Sequence, residues 1–337
     1  MVRRGSRRPT LEEVAARAGV GRGTVSRVVN GSPRVSAEAR EAVLAAIEEL
    51  GYVPNRAART LVTRRTDTVA LVVAESEQRI FDEPFFAGII RGISSELNDT
   101  GLQLLLALAR SPEEYARLET YLTGQHVDGV LLTSLHGDDP LPAKLEASGV
   151  PTVLGGRPTG LNPESYVDVD NRDGARQAVE HLVRRGRRRI ATIAGPQDMG
   201  VGVDRLAGYR EALAGAGLPE LVEYGDFSEA SGVAAAERLL DRDPDLDAVF
   251  AADDPMALGA MQVLRRRGRR IPDDVAVIGF EDSTRAPLAD PPLTTVHQSV
   301  EEMGRQMARL LVARIRGEEV ADPVVILQPH LVVRESA

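Results

Sequence analysis

The sequence predicts an all-α helix-turn-helix headpiece with a hinge helix, followed by an α/β core of two doubly wound parallel-sheet subdomains. Three observations predict it. Residues 10–61 carry helical apolar spacing, broken by a glycine where the chain must turn tightly. From residue 68 short continuous apolar runs alternate with amphipathic segments, the pattern of strands covered by helices on both faces. The length of 337 residues allows about two or three domains, and the alternating region is too long for one compact sheet.

The first helix starts at Thr10, a good N-cap, and Glu13 three residues on completes a capping box. Leu11, Val14, Ala15 and Ala18 form its apolar stripe, and Gly19 marks the turn. A second helix follows at about 22–29, with Val25 and Val28 facing the first. Two short helices joined in this way form a helix-turn-helix, whose second helix normally lies in the DNA major groove. The third helix runs from the cap Ser36 to Leu50 with Val43, Leu44, Ile47 and Leu50 on one face, and Gly51 stops it. A fourth begins at Pro54 and reaches Leu61. A helix of about eight residues is marginal in isolation. These patterns alone also fit an ordinary all-α module followed by a linker.

Charge favours nucleic acid. Residues 1–66 contain 13 Arg against 6 Glu, a balance of +7, whereas the whole chain is −9, so the remainder is −16. A small basic head on an acidic body is the asymmetry of a nucleic-acid binder. The chain has no cysteine, which removes disulfides and thiolate chemistry and suits a reducing cytosol. No apolar run reaches membrane-spanning length, and the basic start MVRRGSRRPT has no apolar stretch behind it, unlike a secretory signal.

The strand candidates of the core are TVALVVA at 68, LQLLLAL at 102, VDGVLLTS at 127, RIATIAG at 189, DAVFAA at 247 and VAVIGF at 275. PEEYARLETYL and ARQAVEHLVRRG are among the helices between them. Ligands of such open sheets bind beyond the carboxyl ends of the strands. Enzyme chemistry finds little support. His126, His136, His181, His297 and His330 include no pair at metal-ligand spacing, and there is no phosphate-binding P-loop. Gly200-Val-Gly202 lacks the third glycine of a dinucleotide fingerprint, and no nucleophile elbow occurs. Neither a cofactor nor a metal is expected.

The strings VAARAGVGRGTVSRVVNGSPRVS and LGYVPNRAARTL strongly resemble the headpiece of the lactose-repressor (LacI/GalR) family of bacterial transcription regulators. The resemblance runs through essentially the whole chain, because VDVDNRDG, DRLAGY, FAADDPMALGAM, GFEDS and PPLTTVHQ match family motifs in order. It implies a headpiece at 1–53, a hinge helix and linker at 54–66, and an effector-binding and dimerisation core at 67–337 similar to periplasmic sugar-binding proteins. The N-subdomain would span about 67–168 and 298–327, and the C-subdomain about 169–297 and 328–337. In this family bases lie against the start of the second helix, here Arg22 and Gly23, with Arg27 one turn later. An arginine can contact guanine in bidentate fashion, although Arg27 could equally meet a phosphate or solvent. Thr24, Ser26 and Asn30 suit phosphate oxygens, and Thr10 joins them at the start of the first helix. Gly21 stands where the family usually has a serine cap. In the hinge, the resemblance assigns DNA contact to Asn55, Arg56 and Ala58, and to Leu61 as a minor-groove wedge.

For the effector, the resemblance points to Asp173, Arg205, Asp253 and Glu281 as polar contacts and to Phe227 as a ring that stacks on a sugar face. Phe81, Asp82 and Phe85 would lie near the cleft mouth, and Gln298 at a crossover could meet ligand or strand. Asp173 and Asp253 could instead cap helices, and the three phenylalanines could be core. Asp253 replaces the asparagine of many relatives and Glu281 the commoner aspartate, so a cationic or metal-bridged ligand is the alternative to a sugar. The strings RTLVTRRTDTVALVV and GQHVDGVLL resemble actinobacterial regulators of cellulose and β-glucoside use, which implies cellobiose or a related oligosaccharide. The expected function is a sequence-specific repressor controlled by a sugar, working as a cytoplasmic homodimer on a near-palindromic operator, with no membrane partner. The competing reading is a sugar-binding protein or sugar-metabolising enzyme on the same core, without a DNA role. No heptad pattern follows residue 317, so a tetramerising C-terminal helix is not expected.

Overall fold

The structure is a computed structural model and describes residues 9–53, 65–109, 112–158 and 163–337, except the side chains of Gln78, Asp82 and Pro112. The chain divides into two compact units, Met1–Thr66 and Asp67–Ala337.

The first unit holds α1 (Leu11–Ala18), α2 (Arg22–Val29) and α3 (Ala37–Leu50). Both arms of the capping box on α1 are present: Thr10 Oγ1 accepts from the Glu13 amide at 3.3 Å, and Glu13 Oε2 accepts from the Thr10 amide at 2.7 Å. Gly19 closes α1 at φ 67, a left-handed conformation that costs glycine nothing. Val14, Val25, Val28, Val43, Ala46 and Tyr52 make the core. Leu44 departs from its expected place and is 53% exposed. The inward stripe of α3 is Val43, Ala46, Ile47 and Leu50, and Leu44 stands one residue, about 100°, around the helix from Val43. The hinge residues Asn55, Arg56, Ala58 and Leu61 lie outside the described residues.

The second unit contains two six-stranded sheets. The first comprises β1 (Thr68–Val73), β2 (Gln103–Leu108), β3 (Gly129–Thr133), β4 (Thr152–Gly155), β5 (Tyr166–Val169) and β11 (Val324–Leu327), ordered β11-β5-β4-β3-β1-β2 and parallel throughout. The second comprises β6 (Ile190–Ala194), β7 (Val222–Tyr224), β8 (Ala248–Ala251), β9 (Ala276–Glu281), β10 (Thr294–His297) and β12 (His330–Val332), ordered β12-β10-β9-β8-β6-β7. Its edge strand β12 is antiparallel to β10, an addition common on otherwise parallel sheets.

Alternation with period two feeds a separate core on each face. In β1, Val69, Leu71 and Val73 face α4 (Glu77–Asp82), α5 (Pro84–Leu97) and α12 (Val300–Arg316), while Ala70 and Val72 face α6 (Pro112–Thr123) and α7 (Leu141–Ala147). In β6, Ile190 and Ala194 face α8 (Asn171–Arg184) and α9 (Gly200–Ala216), while Ala191 and Ile193 face α10 (Glu229–Arg242) and α11 (Asp254–Arg266). The chain passes between sheets after β5, after β10 and after β11. Each passage leaves a strand at its carboxyl end, so the functional side chains collect there. Among the described residues no helix is long and apolar enough to cross a membrane.

Candidate functional site

Helix α2 of the headpiece turns Val25 and Val28 inward and leaves Arg22, Gly23, Arg27 and Asn30 exposed. Its N-cap, Gly21, makes no side-chain hydrogen bond, and its first turn has no acidic residue. The Thr24 and Val25 amides donate to the Gly21 carbonyl at 2.8 and 3.2 Å, which leaves the Arg22 and Gly23 amides for an anion such as a DNA phosphate. Arg22 Nη1 lies 3.2 Å from Glu12 Oε1, a solvent-exposed pair that exchanges readily for another acceptor. Thr24 and Ser26 are half-buried, and Asn30 Nδ2 donates to Ser26 Oγ at 3.4 Å. Thr10 is occupied in capping α1.

In the second unit the carboxyl ends of the strands enclose a cavity of two lobes. The first, about 540 Å³ including its open mouth, is bounded by Thr133, Gly156, Arg157, Asp168, Asn171 and Gly200 among others. The second, about 440 Å³, is bounded by Arg79, Glu83, Phe86, Phe227, Asp253 and Glu281. They meet at Phe85, Ser134, Met199, Val201, Arg205 and Gln298.

Arg205, 5% exposed on α9, sits at this junction. Its Nε donates to Asn171 Oδ1 at 2.9 Å, its Nη1 to the Ala252 carbonyl at 2.6 Å and its Nη2 to Gln298 Oε1 at 3.4 Å. Asn171 donates in turn to Asp168 Oδ1 at 3.1 Å and to the Val169 carbonyl at 3.0 Å. Burial lowers the Arg205 guanidinium to about 10, with neighbouring carboxylates opposing the shift, so it remains a cation at neutral pH.

The second lobe is rich in acids. Asp253 caps α11, its Oδ1 accepting from the Met256 amide at 2.8 Å, and it also lines the second lobe. Burial raises its pKa well above the ordinary value, and raises Glu83 to about 7 and Glu281 to about 8. A neutral carboxylic acid donates as well as accepts, which suits hydroxyl groups. Glu281 and Asp282 hold left-handed backbone, at φ 116 and φ 58. Buried Asp254 braces that turn by accepting from the Ser283 amide at 2.7 Å and the Thr295 hydroxyl at 2.5 Å. Asp282 is tied to Arg334 at 2.6 Å and to His297 Nδ1 at 3.0 Å. Glu281 is thereby aimed into the cavity.

Three expectations are corrected. Asp173 does not line the cavity: it lies on the flank of α8, where Arg176 and Gln177 Nε2, the latter at 2.5 Å, hold its carboxylate. The residue of that motif that reaches Arg205 is Asn171, two positions earlier and about 200° around the helix. Phe81 is 75% exposed and lines neither lobe. Phe227 does line the cavity, but the guanidinium of Arg79 covers its ring at 5.3 Å, so that face is not free for a sugar. Phe85, Arg205, Asp253, Glu281 and Gln298 line the cavity, and the Asp82 side chain lies outside the described ones. The reading from sequence missed Asp168, Asn171, Arg79 and Glu83. Asn171 stood in the quoted string VDVDNRDG, and Arg79 and Glu83 lie within RIFDEPFF, the stretch that also holds Phe81, Asp82 and Phe85.

The two sheets also touch along one rim. His136 lies with Nδ1 2.8 Å from Asp198 Oδ2 and Nε2 3.1 Å from Glu75 Oε1. The Gly137 amide donates to the Asp198 carbonyl at 2.8 Å, and Arg157 Nη2 donates to both oxygens of Asp204 at 2.8 and 2.7 Å.

Residues 10–55 match the model of bacterial regulatory proteins of the lacI family, and residues 179–337 match the periplasmic binding protein-like domain. The chain is 63% identical over 335 residues to the HTH-type transcriptional regulator CelR of Thermobifida fusca, covering 98% of each. Among solved structures, a transcriptional regulator CelR–cellobiose complex is 60% identical with a TM-score of 0.79, covering 98% of this chain and 100% of that one. The lac repressor dimer bound to operator and the anti-inducer ONPF is 30% identical with a TM-score of 0.86, covering 98% and 99%.

Proposed function

Given that this chain belongs to the lacI family of bacterial regulatory proteins, and is a sugar-controlled DNA-binding repressor and not an enzyme, we propose that its effector is cellobiose or a closely related oligosaccharide. The observation that carries this reading is Arg205 at the junction of two lobes, with buried acids in one and the Asp168–Asn171 pair in the other. Two linked rings, each with hydroxyls for the groups of one lobe, suit that division. The 63% identity to CelR and the cellobiose in the CelR complex support the same choice.

The proposed working form is a cytoplasmic homodimer on a near-palindromic operator. Arg22 and Arg27 of each α2 would read or position on the major groove, and Asn55, Arg56, Ala58 and Leu61 would engage the minor groove. The ligand would act by binding one arrangement of the two sheets better than another, a difference commonly about 1–3 kcal/mol. Calorimetric titration with cellobiose, glucose and maltose, together with operator binding with and without each sugar, tests the reading. Cellobiose is expected to bind and to change operator affinity. A protein that binds none of these, or binds cellobiose without any change at the operator, would refute the assignment.

A further inference from the structure

Arg79 bounds the second lobe, yet its side chain is engaged on two sides before any ligand arrives. It extends from α4, where Nη1 donates to Glu75 Oε1 at 2.6 Å and Nε donates to Glu83 Oε1 at 2.7 Å. Two carboxylates hold the planar guanidinium in one orientation, and it lies 5.3 Å over the ring of Phe227 from the other half of the unit. Phe227 is fixed from behind, because it packs against Gly195 so closely that a Cβ there would run into the ring. Its backbone at φ 70 presents the side chain from a turn rather than from a strand.

This cation–π pair is a partition. Arg79, Glu83 and Phe227 form one wall of the acid-rich inner lobe. The same three residues form a wall of an open outer groove, about 1550 Å³ with the solvent at its mouth included, which continues past them to Asp226, Ser228 and Arg285. The outer groove is polar and open, with Arg285 paired to Glu229 at 2.8 Å at its edge. Polar grooves of this kind accept hydroxyl-rich chains, whereas the second inner lobe ends at Arg79.

We propose that Arg79, clamped by Glu75 and Glu83 and lying over the ring of Phe227, sets the length of the oligosaccharide effector. Two rings fill the inner lobes, and a third ring reaches the outer groove only by displacing the guanidinium from Phe227. Displacement breaks two charged hydrogen bonds and uncovers an aromatic face, so the longer sugar binds more weakly. The inference rests on the effector reading above, and adds to it a size limit and the residue that imposes it.

The test is calorimetric titration of the full chain with cello-oligosaccharides of two, three and four glucose units, for the parent, Arg79→Ala and Arg79→Gln. The parent is expected to favour the two-unit sugar by about tenfold or more, a discrimination within reach of one ordered contact. Both variants should bring the three-unit sugar to within about threefold of the two-unit sugar, since the partition is gone and the outer groove can contribute. A variant with a changed melting curve is set aside in favour of the other. Equal affinities for all three sugars in the parent, or an unchanged preference in the folded variant, overturn the gate while leaving the effector reading intact. Absence of binding by every sugar to the parent overturns both.

Discussion

The guanidinium of Arg205 lies 3.6 Å from the centre of the Phe280 ring while hydrogen bonds hold it to Asn171, Ala252 and Gln298. Phe280 is buried at the end of β9, next to Glu281. The ring fixes the plane of the guanidinium, the hydrogen bonds fix its rotation, and the remaining donors are left for a ligand. An anchor prepared in this way loses little freedom when a ligand arrives.

Arg205→Ala is expected to abolish the effector response while leaving operator affinity without effector within about tenfold, since the headpiece is untouched. It should also cost roughly 3 kcal/mol of stability, because its buried partners lose their donors. Calorimetry, operator binding and thermal melting on the same protein check the three parts. Normal effector affinity would remove Arg205 from the site.

Arg22→Ala should weaken operator binding by about 1–3 kcal/mol and relax preference at one base pair in each half-site. Binding-site selection reads this directly. Identical sequence logos for variant and parent would show that Arg22 reads no base.

His136→Gln should flatten the pH dependence of effector binding. Hydrogen bonding to the carboxylate of Glu75, and to that of Asp198, raises the His136 pKa above 6.5, and Arg79 joins this cluster through its bond to Glu75. The arrangement in which His136 bridges Glu75 and Asp198, the one the effector is expected to favour, is stabilised below the ordinary pKa, and that preference is lost as pH rises through the raised one. Effector affinity of the parent should therefore fall as pH rises above 6.5. Glu83 and Glu281, at about 7 and 8, contribute with the same sign, so the informative quantity is the difference in slope between parent and variant. Equal slopes would exclude His136 as a contributor.

Glu281→Gln should raise thermal stability at alkaline pH. Burial holds the Glu281 carboxyl protonated to about pH 8, whereas it ionises near 4.5 when unfolded. The folded state thus retains a proton that the unfolded state releases, and stability falls as pH rises from 4.5 towards 8. Glutamine keeps the shape and has no proton to lose. The variant should melt with the parent at pH 4.5 and above it at pH 8. A lower melting temperature at pH 8 would mean that the ionised carboxylate stabilises the fold.

Local rules were enough to read much of this protein from its sequence. The capping box Thr10–Glu13, the glycine stops after α1 and α3 and the burial of Val25 and Val28 depend on neighbours within a few residues. The continuous apolar runs specified parallel strands for the same reason, since each residue of β1 or β6 faces one of two helical layers by simple alternation. The headpiece and the two-sheet core were therefore legible before any coordinates. What the tertiary structure decided is which polar groups meet. Asp168, Asn171, Arg205 and Gln298 come from both sides of two chain passages, and no spacing rule connects them. Asp173 and Asn171 are two residues apart in one motif, yet the turn of α8 sends the first to Arg176 and the second to Arg205. Phe227 lines the cavity, and Arg79, nearly 150 positions away in the chain, lies over its ring. Periodicity and capping are properties of a continuous segment. A cavity wall is made by side chains that only the packing of one sheet against another brings within hydrogen-bonding distance.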